Sequence, residues 1–246
     1  MTPFAHYKSL GLLVALLASL FSLAAAYTPE LPPVLPQLFS VVDVAQDDVL
    51  NIRAAPTVEA EIIGALEPDS RNHEIVALNL AGDWGMINVA YGAGWVFMRY
   101  LEPQGLSIDA YNMPETLHCS GTEPFWSLSY QDGVFDYSWP GEDGISDTSF
   151  QLSSSVPNVV DGSVRDDWSR VLHVQNGQDS LSLHLQPTQD SYGWFQAEAE
   201  QPSTSRICGD GMSEFAYGLM LHLQVQRSDD SYSPERLLRG CCSLGY

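Results

Sequence analysis

Lysine is all but missing from this chain. Lys8 is the only one, and the nine arginines that follow face 31 acidic residues, for a formal net charge of −21. A surface of that sign repels phosphate backbones and anionic lipid, which excludes nucleic acid and acidic membranes as partners. Long apolar runs are missing after Ala26, so no later segment has the length to span a bilayer. A sustained helical period is missing too, which argues against a helical fold. The chain also lacks an EF-hand spacing, a phosphate-cradling glycine loop, a nucleophile elbow and closely spaced metal ligands. No cofactor and no metal are therefore expected.

What is present begins with a basic start ending at Lys8 and the apolar run "LGLLVALLASLFSLAAA" (10–26), which closes on small residues before Tyr27. This pattern predicts a cleaved signal peptide over 1–26 and a periplasmic or secreted protein. The competing reading is a membrane anchor, for which the run is slightly short. "YTPELPPVLPQ" (27–37) reads as an extended proline-rich spacer. Two β-rich regions follow, 38–103 and 117–246, with 104–116 as a linker.

Alternation carries the fold prediction. In "YGLMLHLQVQ" the residues Tyr217, Leu219, Leu221, Leu223 and Val225 form one apolar face, against Met220, His222, Gln224 and Gln226. Leu181, Leu183 and Leu185 alternate with Ser182, His184 and Gln186 in the same way. Period two means half-buried strands with the apolar face inward. The "VFDYSW" strand follows an Asp132-Gly133 turn signal. The expected class is all-β: a small SH3-like barrel followed by a disulfide-stapled β-barrel or sandwich.

"LNIRAAP" (50–56), Gly64, "DWGMINV" (83–89) and "GWVFMRYL" (94–101) stand in an order that resembles the bacterial SH3-like (SH3b-type) domain of cell-envelope proteins. The resemblance covers 38–103 and implies non-catalytic adhesion to peptidoglycan or its short peptides. Aromatic rings flanked by polar groups suit a groove for such ligands. The candidate binding residues are Trp84, Tyr91, Trp95 and Tyr100, with Asp47, Asp48 and Arg53. The competing reading places Trp84 and Trp95 in the core and gives Asn51 and Arg53 a role in stabilising turns.

The second region carries "GTEPFW" (121–126), "CGDGMS" (208–213) and "LLRGCC" (237–242). These are similar to the G-x-E-P-F-W, C-x-D-G-M-S and terminal G-C stretches of a family of uncharacterised bacterial envelope proteins, with Glu214 where that family usually has Asp. The motif residues singled out are Glu123, Trp126, Asp210, Met212 and Ser213. The resemblance implies no chemistry. From the residues alone, Glu123 beside Pro124 and aromatics is a candidate general acid, converging with Asp210. The structural alternative has Glu123 bond backbone amides and Asp210-Gly211 form a turn. His173, His184 and His222 each fall on a strand, and zinc would require those strands to be neighbours.

Half of the four cysteines are adjacent, Cys241 and Cys242. Consecutive Cα atoms lie about 3.8 Å apart, below the usual disulfide range of roughly 4.4 to 6.8 Å. On an extended strand the two side chains point to opposite faces, so each reaches a different partner. Cys119 and Cys208 are the partners available, which leaves two pairings open. The resemblance implies Cys208–Cys241, and therefore Cys119–Cys242.

Together these readings give a non-enzymatic exported envelope protein that binds peptidoglycan or a short peptide. The rivals are an inhibitor or accessory factor of envelope hydrolases, and a wall hydrolase using Glu123.

Overall fold

The computed structural model describes residues 34–105, 108–141, 144–157, 159–160, 163–164, 168–177, 179–188, 207–226 and 236–244. The expected signal peptide and the spacer as far as Pro33 lie outside these residues. The described chain is all-β, with one short 3-10 turn at Met98–Tyr100.

The first part is built from two small antiparallel sheets. Strands β1 (Gln37–Val41), β4 (His73–Ile75) and β8 (Leu101–Pro103) form a sheet in the order β4-β1-β8. Strands β2 (Leu50–Arg53), β3 (Ile62–Leu66), β5 (Ala77–Leu78), β6 (Trp84–Val89) and β7 (Gly92–Phe97) form the other, in the order β3-β2-β7-β6-β5. Phe39, Val41, Leu50, Ile52, Ile75, Ile87 and Val96 meet in the core between them. The alternation of Leu50 and Ile52 with Asn51 and Arg53 sets which face of β2 is buried.

The second part is a closed eight-stranded barrel. Its strands are β9 (Thr116–Thr122), β10 (Phe125–Gln131), β11 (Val134–Gly141), β12 (Gly144–Pro157), β15 (Arg170–Gln175), β16 (Ser180–Pro187), β17 (Leu219–Gln226) and β18 (Arg236–Leu244). A two-stranded ribbon, β13 (Val159–Val160) and β14 (Ser163–Val164), interrupts the series. Every barrel neighbour is antiparallel, and each strand pairs with the one before and after it until β18 returns to β9. Closure removes the exposed edges that a sandwich would keep, and decides between the two expected architectures.

Alternation sorts the side chains as the sequence predicts. Leu181, Leu183 and Leu185 on β16 and Leu219, Leu221 and Leu223 on β17 point into the barrel, each at most 1% exposed. Each such leucine contributes roughly 1.5–3 kcal/mol of burial. His184 and His222 face outward opposite one another. The β10–β11 hairpin turns through Asp132 (φ 49°) and Gly133 (φ 85°). Two successive left-handed residues give the turn whose twist matches the flanking strands, and Asp-Gly adopts it readily.

Residues of the predicted linker close one end of the barrel. Met113 is fully buried among the barrel's core residues. Asp109 holds the approach in place. Its Oδ1 accepts from the backbone N–H groups of Tyr111 (2.8 Å) and Met113 (3.0 Å), and its Oδ2 accepts from the Tyr130 hydroxyl. Burial, then the hydrogen bond and charge of Asp109, raise the Tyr130 phenol well above its ordinary value.

The two parts belong to one compact unit, 33–246. Asn88 joins them as a strand neighbour would. Its Nδ2 donates to the Ala216 carbonyl (2.8 Å), and its Oδ1 accepts from the Ala216 N–H (2.9 Å). Glu74 of β4, 5% exposed, accepts from the backbone N–H of Leu244 at 3.1 Å. The Trp168 indole donates to the Pro36 carbonyl at 3.0 Å.

Candidate functional site

The vicinal cysteines organise the site. On β18, Cys242 points inward and bonds Cys119 on β9, whose Cα lies opposite in register. Cys241 bonds Cys208, which lies on the segment following residue 206. Both pairings are those implied by the envelope-protein resemblance, and none of the four cysteines is free.

The Cys208–Cys241 bridge ties the "CGDGMS" loop to β18 beside the β9–β10 turn. There the three motifs, far apart in sequence, converge on one cleft of about 580 Å³. Thr122 Oγ1 donates to the Asp210 carbonyl at 2.7 Å and joins the first motif to the second. Gly121 and Gly240 let the strands close up. A Cβ at Gly121 would lie 2.2 Å from the Trp126 indole nitrogen, and one at Gly240 would lie 2.3 Å from the Ser120 carbonyl oxygen. Trp126 is thereby a packing residue, 4% exposed and 6.4 Å from the Tyr137 ring.

Asp210 is occupied by its own loop. Its Oδ1 accepts from the N–H groups of Met212 (2.9 Å) and Ser213 (2.7 Å). Its Oδ2 accepts from the Ser213 hydroxyl (2.7 Å) and the Tyr217 hydroxyl (3.3 Å). Burial alone would raise this carboxyl, but the donors from Ser213, Met212 and Tyr217 outweigh it and hold the pKa below the ordinary value. Gly211 follows at φ 75°, completing the turn. The structural alternative for Asp210 thus describes the loop.

Among the described residues Glu123 bonds no backbone amide. Among the described residues its carboxylate takes no hydrogen bond or ion pair, and it stands exposed on the cleft. Met212 (70% exposed) and Phe125 (56% exposed) bring apolar surface to the same cleft. Among the described residues Arg239 is the only cation lining it, with its Nε–H directed at the Met220 sulfur, 3.1 Å away. Sequence reasoning passed over Arg239 and Phe125 as site residues. The signal was there, because Arg239 is the only basic residue in the three motifs.

Toward the β9–β10 turn, Phe125, Tyr137, Trp139 and Phe150 also line the barrel mouth, at the opposite end from Met113. Only about 40 Å³ is free there. The interior is filled by side chains, as eight strands allow.

The SH3-like candidates do not form one open groove. Trp84 and Trp95, 6% and 4% exposed, are core residues. They pack with Met86, Val76 and Ala77 beneath Ala216 and Ile207 of the barrel part. The first outer layer of that sheet is therefore another stretch of the same chain, and this corrects their assignment to a ligand groove. Tyr91, in contrast, is 94% exposed. Asp47 and Asp48 are exposed, with Asp48 accepting from the Val49 N–H at 2.8 Å. Arg53 is half-buried and donates to the Ala60 carbonyl at 2.7 Å, the turn-stabilising role. Tyr100 is half-buried under the Arg99 guanidinium, 5.9 Å from the ring centroid.

The strands carrying His173, His184 and His222 are neighbours, and His222 stands opposite Arg239 in register. The His184 and His222 rings lie 6.5 Å apart, while His173 contacts Ser182 at 3.3 Å. Burial, then the charges of Arg239 and His184, lower the His222 pKa. Among the described residues no group of three or more His, Cys, Asp or Glu is placed to hold a metal ion. Compared with known proteins, the chain matches no family model, no curated protein and no solved structure.

Proposed function

We propose that this chain is a non-enzymatic exported protein of the cell envelope. In this reading its SH3-like part attaches to peptidoglycan or its short peptides, and the barrel is held in a fixed orientation beside it. The observation that carries the reading is the seam at Asn88 and Ala216. A binding module joined to its neighbour by paired backbone-like hydrogen bonds and a shared tryptophan cluster passes its own placement on to that neighbour. Two disulfides fit folding in an oxidising compartment. The non-catalytic reading draws on Asp210, whose carboxylate is committed to its loop.

The test is sedimentation of the full chain with purified sacculi. Binding is expected, and Tyr91→Ala, at a fully exposed position, should weaken it without unfolding. Equal sedimentation with and without sacculi would remove the attachment reading. Release of soluble fragments that stops in Glu123→Gln would replace it with the hydrolase.

A second reading, an inhibitor or accessory factor of envelope hydrolases, draws on Phe125 and Met212. Two large apolar side chains exposed at one cleft suit a protein partner. Its test is the rate of sacculus digestion by a wall hydrolase with and without the chain.

A further inference from the structure

The cleft at the meeting of the three motifs has a charge pattern of its own. It lies on the barrel part, so it stands or falls independently of attachment through the SH3-like part. Its volume of about 580 Å³ falls in the range of small-ligand clefts, roughly 300–1,000 Å³. Its loops are pinned before any ligand arrives, by the Cys208–Cys241 bridge, the Thr122–Asp210 hydrogen bond and the four donors on Asp210. Pre-organised walls lower the ordering cost of binding.

Three exposed groups line this frame without supporting it. Arg239, whose Nε–H is directed at the Met220 sulfur of the neighbouring strand, is one lining residue, Glu123 adds a carboxylate with no partner among the described residues, and Phe125 with Met212 an apolar wall. A Cβ placed on Gly209 or Gly211 would meet nothing within 4 Å, so main chain is accessible along one side.

Electrostatics decides which ligand class fits. Among the described lining residues a polyanion such as a phosphate would meet one cation and two carboxylates, Glu123 and Asp210, in a chain of net charge −21. A plain cation would meet Arg239. A zwitterion satisfies both signs at once, since a guanidinium pairs a carboxylate in bidentate fashion and a carboxylate accepts from an ammonium. We propose that this cleft binds a short peptide with free termini, its terminal carboxylate on Arg239, its amino group on Glu123 and an apolar side chain against Phe125 and Met212.

The experiment is an NMR titration of the disulfide-intact chain with the tripeptide Ala-Leu-Ala, its C-terminal amide and its N-acetyl form. The free tripeptide is expected to shift the amide signals of Gly209, Gly211 and Gly240 and to bind about tenfold or more tightly than the amide form, the scale of one lost charge-assisted pair. Arg239→Gln should erase the difference between acid and amide, and Glu123→Gln the difference between free and acetylated amine. Both side chains are exposed, so unchanged signals from the barrel core will show that the fold is intact. Equal binding of all three peptides, shifts confined to other surfaces, or no shifts at millimolar peptide would overturn the proposal.

Discussion

Cys119 and Cys242 face each other in register across β9 and β18, and their bridge locks the barrel where its first and last strands meet. Every other barrel pairing joins consecutive barrel strands. This one closes a loop of 123 residues, whereas Cys208–Cys241 closes 33.

Chain-entropy arithmetic assigns about 5 kcal/mol to the longer loop and about 4 kcal/mol to the shorter. Replacing Cys119 and Cys242 with alanine should therefore destabilise the chain more than replacing Cys208 and Cys241. Urea unfolding of the two double variants checks the order. Mass spectrometry with a cut between residues 241 and 242 checks the connectivity, and a 119–241 linkage would refute it.

Asn88→Ala should cost about 2 kcal/mol or more, because it strands both the N–H and the carbonyl of Ala216 at a seam. Trp84 and Trp95 lie under that segment, so red-shifted tryptophan emission should accompany the loss. An unchanged denaturation midpoint would show the seam to be incidental.

Glu74 gives the chain a pH dependence of definite sign. Burial pushes its pKa from 4.5 up to about 8, against a small opposing effect from the Leu244 N–H. Between those two values the folded state holds the proton that the unfolded state has released. Stability is therefore fully present below pH 4.5 and declines as pH climbs through the window to about 8. The loss is on the order of a few kcal/mol. Glu74→Gln should flatten this slope, read from urea midpoints at pH 5, 7 and 9 (roughly spanning the window).

The glycines around the cleft separate packing from access. Gly121→Ala drives a methyl into Trp126 and the Arg239 carbonyl, which should cost about 1–3 kcal/mol or prevent folding. Gly209→Ala meets open space and should leave thermal stability nearly unchanged. Equal melting temperatures for the two variants would contradict the described packing.

Much of the barrel was legible in the sequence. Period-two alternation in 181–186 and 217–226 named the inward leucines, and the Asp132-Gly133 turn fixed a hairpin register. Opposite-facing neighbours on a strand explained why Cys241 and Cys242 need different partners. Trp84 and Trp95 were harder to place, because alternation marks which face of a strand is apolar without showing what covers it. Strand β6 is buried on both faces, and the cover for one of them comes from Ala216, more than a hundred residues away. Met113 was hidden for a similar reason. In a segment rich in turn residues, one methionine carries no periodic signal, yet it fills the end of the barrel.

The position of β18 has a consequence for how the protein is made. This strand supplies one partner to each disulfide, and its Leu244 N–H also caps Glu74. A nascent chain ending anywhere before residue 236 has β9 and β17 as unsatisfied edges, and neither native disulfide can form in it. Cys119 and Cys208 stay without their native partners until Cys241 and Cys242 have been added. Oxidation to the native pairs can follow only the arrival of the last barrel strand, which carries Cys241 and Cys242.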